Sequence, residues 1–218
     1  MKQKLIIFIS LLVLIAGFVI GSFFVKQNKE TKTLTNAQSN YDSFVRDYSV
    51  TIGSPDAKVT LVEFFDPACE TCRVFYPHVK DIIAKYPGKI QLILRYAPFH
   101  QGADYFVRIL EASRNQNMYW KTLETLYQTQ HIWTVHHQAQ PNLAWEVLKD
   151  TPLNLAQLKA DMGSPKIEAI LRQDLFDASM LKIKKTPSFF VNQKPLVNFG
   201  HAQLKKLVES EIHANYQE

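Results

Sequence analysis

The sequence predicts an α/β domain with a central mixed sheet, interrupted by a helical insertion and preceded by an N-terminal membrane anchor. Three observations support this: an opening strand–helix–strand pattern, a middle section with helical periodicity, and a closing β-hairpin followed by a helix. The 218 residues allow one folded domain plus a short extension. An apolar content of 46% is enough for a substantial core.

The N-terminal segment predicts the compartment. Lys2 and Lys4 precede an uncharged run, residues 5–25, which as a helix would span about 31 Å, close to the hydrocarbon thickness of a bilayer. A cleavable signal usually has a shorter apolar core and a small-x-small cleavage site, which is missing here. We therefore favour an uncleaved single-pass anchor over residues 1–26, with a cleaved signal as the alternative. Both place the rest of the chain outside the bacterial cytoplasm, where dithiols can be kept oxidised.

Residues 27–46 are rich in Lys, Thr, Asn and Gln without apolar periodicity, which predicts a flexible tether. The folded domain is expected over residues 47–218. It opens with a short edge strand, Asp47–Ile52, and a buried strand, Lys58–Phe65. A helix then runs from Cys72 towards Tyr86, and a second buried strand, Ile90–Tyr96, completes a right-handed unit with parallel strands.

The middle and closing parts of the domain differ in pattern. Residues 103–181 have helical periodicity and little strand signal, so we predict that they form an insertion. Strands resume with Ser188–Asn192, followed by a turn through Gln193 and Lys194 and a second strand, Leu196–Phe199. A closing helix is predicted over Gln203–Ile212.

The only two cysteines, Cys69 and Cys72, are close in sequence. A disulfide between them would close a very short loop and stabilise the fold little, so the pair is expected to do chemistry or bind metal. A structural zinc site usually needs four ligands, but there is no second cysteine pair, and the adjacent His136 and His137 would point apart. We therefore expect redox chemistry with no metal and no other cofactor. The net charge of +5 is scattered, and no nucleic-acid partner is expected.

The position of the pair suits thiol chemistry, because the cysteines follow a buried strand and open a helix. Free amides and the dipole at a helix N-terminus stabilise a thiolate and lower its pKa. We expect Cys69 to be exposed and nucleophilic. Cys72, one turn further along, is expected to be more buried and to resolve the mixed disulfide.

Two segments carry a resemblance to a known family. Residues 64–72 (FFDPACETC) and residues 185–192 (KTPSFFVN) resemble the DsbA group of the thioredoxin superfamily, and the similarity extends from about Tyr48 to the C-terminus. This resemblance implies a thioredoxin fold and a thiol–disulfide oxidoreductase. It also implies that Pro187 is a cis-proline facing the cysteines, which leaves the backbone of Thr186 able to pair with a substrate strand.

Glu63 and Glu70 are the acidic site candidates. Glu63 stands six residues before Cys69, where the superfamily has a buried acid that can take the proton of Cys72; the alternative is a solvent-facing position on an edge. Glu70 and Thr71 replace the Pro-His of the most oxidising relatives. Because Glu70 opposes thiolate formation while Arg73 favours it, the resemblance implies a milder oxidant. Thr186, Glu70 and Thr71 are expected to contact the substrate.

The leading hypothesis is an enzyme that forms disulfides in exported, cysteine-containing proteins and is recharged by a membrane redox partner. The same residues could instead serve a reductase or isomerase. A membrane-tethered binding protein without turnover is the alternative from another class. A set of aromatic residues could line a peptide groove, although helical spacing is more typical of core residues: Phe99, Tyr105, Phe106, Tyr119, Trp120 and Trp133.

Overall fold

A computed structural model describes residues 42–136 and 138–216. Its strands are β1 (Val50–Gly53), β2 (Val59–Phe65), β3 (Ile90–Tyr96), β4 (Thr134–Val135), β5 (Gln138–Ala139), β6 (Ser188–Val191) and β7 (Lys194–Pro195). Its helices are α1 (Glu70–Lys85), α2 (Ala103–Ser113), α3 (Tyr119–Gln128), α4 (Gln130–Trp133), α5 (Ala144–Leu148), α6 (Leu155–Asp161), α7 (Pro165–Met180) and α8 (His201–Tyr216).

The main sheet has the order β1-β3-β2-β6-β7. Strands β2 and β3 are parallel, and the other neighbours are antiparallel, so the predicted mixed sheet is confirmed. Strand β1 lies at the edge as predicted, but it spans Val50–Gly53 instead of the expected Asp47–Ile52. Each central strand is apolar apart from two isolated polar residues, as is typical of strands covered on both faces.

Alternate residues of β2 face opposite sides of the sheet. Leu61 and Phe65 belong to the larger apolar cluster, which also contains Cys72 and Phe75 of α1 and Leu204 of α8. Val62 and Phe64 belong to a second cluster, which contains Ala178 of α7. Glu63 therefore shares a sheet face with Leu61 and Phe65, on the side that holds the cysteine helix.

A buried ion network joins α7 to the second face. Arg95 of β3 is fully buried, and its guanidinium lies 2.8 Å from Asp174 and 2.6 Å from Asp177. Arg46 adds a further ion pair to Asp177 at 2.6 Å. The carbonyl of Ser43 accepts a hydrogen bond from Arg95 at 2.8 Å. The chain from Ser43 onwards thus packs on the domain, although the sequence placed Ser43 and Arg46 in the tether.

The closing hairpin differs from its prediction, since the expected second strand Leu196–Phe199 is wrong. The chain reverses at Asn192 and Gln193, which both have left-handed backbone angles (φ 47° and 67°). Such a two-residue turn pairs Val191 directly with Lys194, so β7 begins two residues earlier than expected.

The insertion contains helices α2 to α7, as predicted, and also the small hairpin β4–β5, which was not predicted. This hairpin lies against the loop that follows β3. The amide of Ala139 donates a hydrogen bond to the carbonyl of Gln101 at 2.9 Å. Gly102 has φ +79°, and a Cβ there would lie 2.7 Å from the carbonyl oxygen of Ala139, so this close approach requires glycine.

The predicted anchor (residues 1–26) and most of the predicted tether lie outside the described residues. Within residues 42–136 and 138–216, no helix is both long and apolar enough to cross a membrane.

Candidate active site

Cys69 is the N-cap residue of α1, and its sulfur accepts a hydrogen bond from the amide of Cys72 at 3.4 Å. Both cysteines are free thiols. Cys72 is fully buried, as expected. The expectation that Cys69 is exposed is wrong, because this residue is only 5% exposed. Its thiol points towards the loop before β6 and donates to the carbonyl of Thr186 at 3.3 Å.

The pKa values of the two thiols are shifted in opposite directions. Hydrogen bonding to the Cys72 side chain is the main cause that lowers the pKa of Cys69 to about 6, and hydrogen bonding to the Thr186 side chain and from the amides of Cys72 and Thr71 adds to it. Burial acts against this shift but is outweighed. Burial raises the pKa of Cys72, and the hydrogen bond to Cys69 raises it further. Cys69 is therefore the sulfur that ionises near neutral pH, and Cys72 stays protonated.

Strand pairing brings the downstream motif to the cysteines. Strand β6 pairs with β2, with Ser188 opposite Phe64, so the loop before Ser188 lies at the end of β2 where the cysteine loop begins. The Thr186–Pro187 bond in this loop is cis, as the resemblance implied. Pro187 is buried, and Thr186 contacts Cys69 directly.

Glu63 is 3% exposed, so the alternative of a solvent-facing edge position is wrong. It lies in the central strand β2, between Leu94 of β3 and Phe189 of β6. Burial, followed by the charge of Cys69, raises the pKa of Glu63 to about 8. The charge of Glu63 in turn raises the pKa of Cys72. A carboxyl with this pKa can exchange a proton near neutral pH.

A cleft of about 410 Å³ opens beside Cys69. Glu70 and Thr71 are exposed and line it. Of the aromatic candidates, Phe99 lines this cleft and is 45% exposed, whereas Phe106 and Trp133 stack 3.8 Å apart in the core. The remaining lining residues are His100, Lys184, Lys185 and Thr186.

Asp66 and His100 are site residues that the sequence did not reveal. Asp66 is fully buried, and one of its carboxylate oxygens accepts a hydrogen bond from the amide of Ala68 at 2.8 Å. The other accepts from the amide of His100 at 2.8 Å and lies 2.7 Å from Nδ1 of the same residue. The only sequence feature that could have identified Asp66 as a site residue was its position between the buried strand and the cysteine motif.

Gln130, a third unpredicted residue, reaches the cysteine loop from α4. Its amide nitrogen donates to the carbonyls of Pro67 (2.8 Å) and Cys69 (3.2 Å), and its oxygen accepts from Arg73 at 2.9 Å. Arg73 was expected to favour the thiolate, but its Nε donates to Gln130. Within the part of the chain that the structure describes, no cluster of three or more His, Cys, Asp or Glu side chains is arranged to hold a metal ion.

Comparison with known proteins agrees with this geometry. A family model described as Thioredoxin matches residues 46–210. The probable disulfide bond formation protein D of Bacillus anthracis is 31% identical over 170 residues, covering 74% of this chain and 77% of that protein. The crystal structure of a thioredoxin-like oxidoreductase from Silicibacter pomeroyi has a TM-score of 0.67 and 28% identity, covering 78% of this chain and 95% of that one.

A different protein also matches over part of its length. The Na⁺/H⁺ antiporter NhaA of Herminiimonas arsenicoxydans is 28% identical over 144 residues, which cover 66% of this chain. This chain spans only 22% of the antiporter.

Proposed function

The chain belongs to the thioredoxin family, and on this premise we propose that it is a thiol–disulfide oxidoreductase that forms disulfides in exported proteins through Cys69 and Cys72. The observation that carries the proposal is the position of Cys69 as the N-cap of α1, where its sulfur accepts from the amide of Cys72 and hydrogen bonding lowers its pKa to about 6. A disulfide is oxidising to the extent that its reduced form is stabilised, and a stable Cys69 thiolate does this. A relative is named for disulfide bond formation, which supports the same direction.

The reaction begins with the oxidised enzyme. A substrate thiolate attacks the sulfur of Cys69, the Cys69–Cys72 bond breaks, and Cys72 leaves and takes a proton, for which Glu63 is the nearby buried acid. A second substrate thiolate then attacks the first substrate sulfur, and Cys69 leaves as a thiolate. The substrate gains one disulfide, and the enzyme gains two electrons as a reduced pair. Exposed Glu70 and Thr71 would contact the substrate at the cleft.

Thr186 gives the substrate a backbone partner. In the dithiol state its carbonyl accepts the hydrogen of the Cys69 thiol. Oxidation or ionisation of Cys69 removes that hydrogen, so the carbonyl can then accept from the amide of an extended substrate chain. Pro187, which carries no amide hydrogen, follows directly in the cis conformation.

The cellular setting is part of the proposal. An anchor through residues 5–25 would hold the domain on the outer side of the bacterial cytoplasmic membrane, where exported proteins acquire disulfides. Each turnover leaves the pair reduced, so a membrane redox partner has to reoxidise it.

A reductase or isomerase is the second candidate, and Glu70 favours it. This acid is exposed at the cleft beside Cys69, where negative charge opposes the thiolate. We therefore place the enzyme as a milder oxidant than relatives with Pro-His between the cysteines.

The test uses oxidised protein and a reduced peptide with two cysteines. We expect stoichiometric transfer of the disulfide to the peptide and no transfer with Cys69→Ser. Cys72→Ser cannot form the enzyme disulfide, so it is tested in the reduced state against the disulfide form of the peptide. There we expect Cys69 to attack and form a mixed disulfide that no second enzyme thiol resolves. A reduction potential close to that of thioredoxin, about −270 mV, would assign the reductase instead. A peptide-binding activity that survives Cys69→Ser without disulfide transfer would assign a binding protein.

A further inference from the structure

The cleft beside Cys69 contains an imidazole that has no role in the exchange described so far. His100 lies in the loop after β3 and lines the same cleft as Cys69. Its side chain is partly exposed, while its partner Asp66 is fully buried. Asp66 also belongs to the cysteine loop, because its carbonyl accepts from the amide of Cys69 at 3.0 Å. The carboxylate thus joins the imidazole to the loop that holds the nucleophile.

The contacts of Asp66 determine which ring nitrogen of His100 carries hydrogen. Amides of Ala68 and His100 donate to the two carboxylate oxygens, each at 2.8 Å. An ionised carboxylate can only accept, so Nδ1 at 2.7 Å must be the donor. The neutral ring then carries its lone pair on Nε2.

We propose that His100 is a general acid–base residue for the substrate sulfur, held in position by Asp66. This proposal rests on the oxidoreductase function above. A substrate thiol has an ordinary pKa of about 8.5, so only a small part is ionised near neutral pH. Nε2 of His100 takes the proton of the incoming thiol, the sulfur attacks Cys69, and the Cys69–Cys72 bond breaks, with the electron pair leaving on Cys72. In the reverse direction the imidazolium returns the proton to the leaving substrate sulfur.

Ionisable side chains of three elements surround the ring. Asp66, in the loop after β2, contacts it, and the cleft is also lined by Cys69 and Glu70 at the start of α1 and by Lys184 and Lys185 before β6. All of them remain when His100 alone is replaced. A change in the pH dependence of that variant therefore reports on the imidazole.

The experiment measures the second-order rate constant for oxidation of a two-cysteine peptide by pre-oxidised protein between about pH 5 and pH 9. His100→Asn is the main variant, because its amide can still donate to Asp66. His213→Asn is the matched control, since His213 is an exposed histidine on α8. We expect His100→Asn to be about tenfold slower near pH 6–7 and to approach the unaltered protein near pH 9, where the substrate thiol ionises without help.

The shape of the pH profile separates the outcomes. An equal loss at every pH would indicate damage to the cleft, and no loss would indicate a bystander; either result overturns the proposal. If His100→Asn does not fold, His100→Gln is subject to the same criterion. Asp66→Asn is expected to change the profile in the same direction. Failure of the unaltered protein to oxidise the peptide at any pH would instead reject the oxidoreductase function itself.

Discussion

At the residue scale, Glu63 places an acid with a raised pKa in the central strand beneath the cysteines. Its pKa is about 8 in the folded protein against an ordinary 4.5, chiefly because of burial. A raised folded pKa contributes stability that is full below the unfolded pKa and is lost as the pH rises through the folded pKa. The relevant window therefore runs from about 4.5 to about 8.

We predict that Glu63→Gln makes the protein more stable than the unaltered form at about pH 8, with a difference that shrinks as the pH falls towards 5. The variant should also slow the cleavage of the Cys69–Cys72 disulfide by a substrate thiolate, because the acid that supplies a proton to the leaving Cys72 is lost. Urea unfolding at several pH values measures the first effect. Glu124→Gln is the control. Hydrogen bonding to Lys80 lowers the pKa of Glu124, so this variant should be less stable than the unaltered protein at about pH 8, the opposite of the change expected for Glu63→Gln. A pH-independent difference for Glu63→Gln would contradict the assignment.

The dipeptide between the cysteines gives a second prediction. Glu70→His removes a negative charge beside the developing thiolate and supplies a donor, so the reduced state should gain stability and the reduction potential should rise. A rise of roughly 30 mV corresponds to about 1.4 kcal/mol. Equilibration against glutathione with thiol trapping measures it. Asp81→His, the same charge change in an exposed position further along α1, should leave the potential unchanged. A lower or unchanged potential for Glu70→His would mean that this side chain points away from the sulfur.

At the element scale, the clearest sequence signals came from elements with continuous local patterns. Strands β2 and β3 match their predictions to within one residue because both are predominantly apolar and bounded by turn residues. The second strand of the closing hairpin was predicted at the wrong residues. Asn192 and Gln193 adopt left-handed backbone angles, but Asn-Gln is not one of the dipeptides, such as Asn-Gly, that usually indicate a two-residue turn. The hairpin β4–β5 has strands of only two residues, too short for any alternation to be read.

The site residues also fall into those that a local sequence pattern identified and those that only the structure identified. Cys69, Cys72 and the Thr186–Pro187 pair belong to short motifs, so pattern and resemblance identified them. Asp66, His100 and Gln130 act through contacts between residues 34 to 63 positions apart in sequence. No periodicity or motif encodes such contacts; they arise only when β3 and the insertion pack around the cysteine loop.

Helix α4 makes the insertion part of the active site through Gln130. We predict that Gln130→Met, which keeps the side-chain volume, leaves the buried carbonyls of Pro67 and Cys69 without this donor and destabilises the protein by about 1–3 kcal/mol. Arg73 also loses its acceptor, so disulfide transfer should slow. Denaturant unfolding and the peptide assay measure the two effects. Gln128→Met, at an exposed position on α3, is the control. Equal stability of the two variants would show that Gln130 contributes no net stability.

At the scale of the whole molecule, the ionisation of Cys69 links redox state to folding stability. The depressed pKa contributes stability that is fully present above the unfolded value of 9.0 and is lost as the pH falls through about 6. The disulfide form has no Cys69 thiol and lacks this contribution. Glu63 is present in both redox forms. The difference between their free energies of unfolding therefore reports mainly on the cysteines.

We therefore predict that the stability of the reduced protein relative to the oxidised protein increases as the pH rises from about 6 to about 9. Urea unfolding of both forms under anaerobic conditions gives this difference directly. Reduced and oxidised forms whose stability difference is constant over the same range would show that the thiolate is not preferentially stabilised by the fold.

The most direct test of the central claim, that the fold activates Cys69 as a thiolate, is the ultraviolet absorbance titration of the reduced protein. Cys69→Ser serves as the baseline for Cys72, whose pKa is raised by burial. We predict a single thiolate transition centred near pH 6 that is absent from Cys69→Ser. A transition at or above about 8.5, the value of an ordinary thiol, would contradict the account.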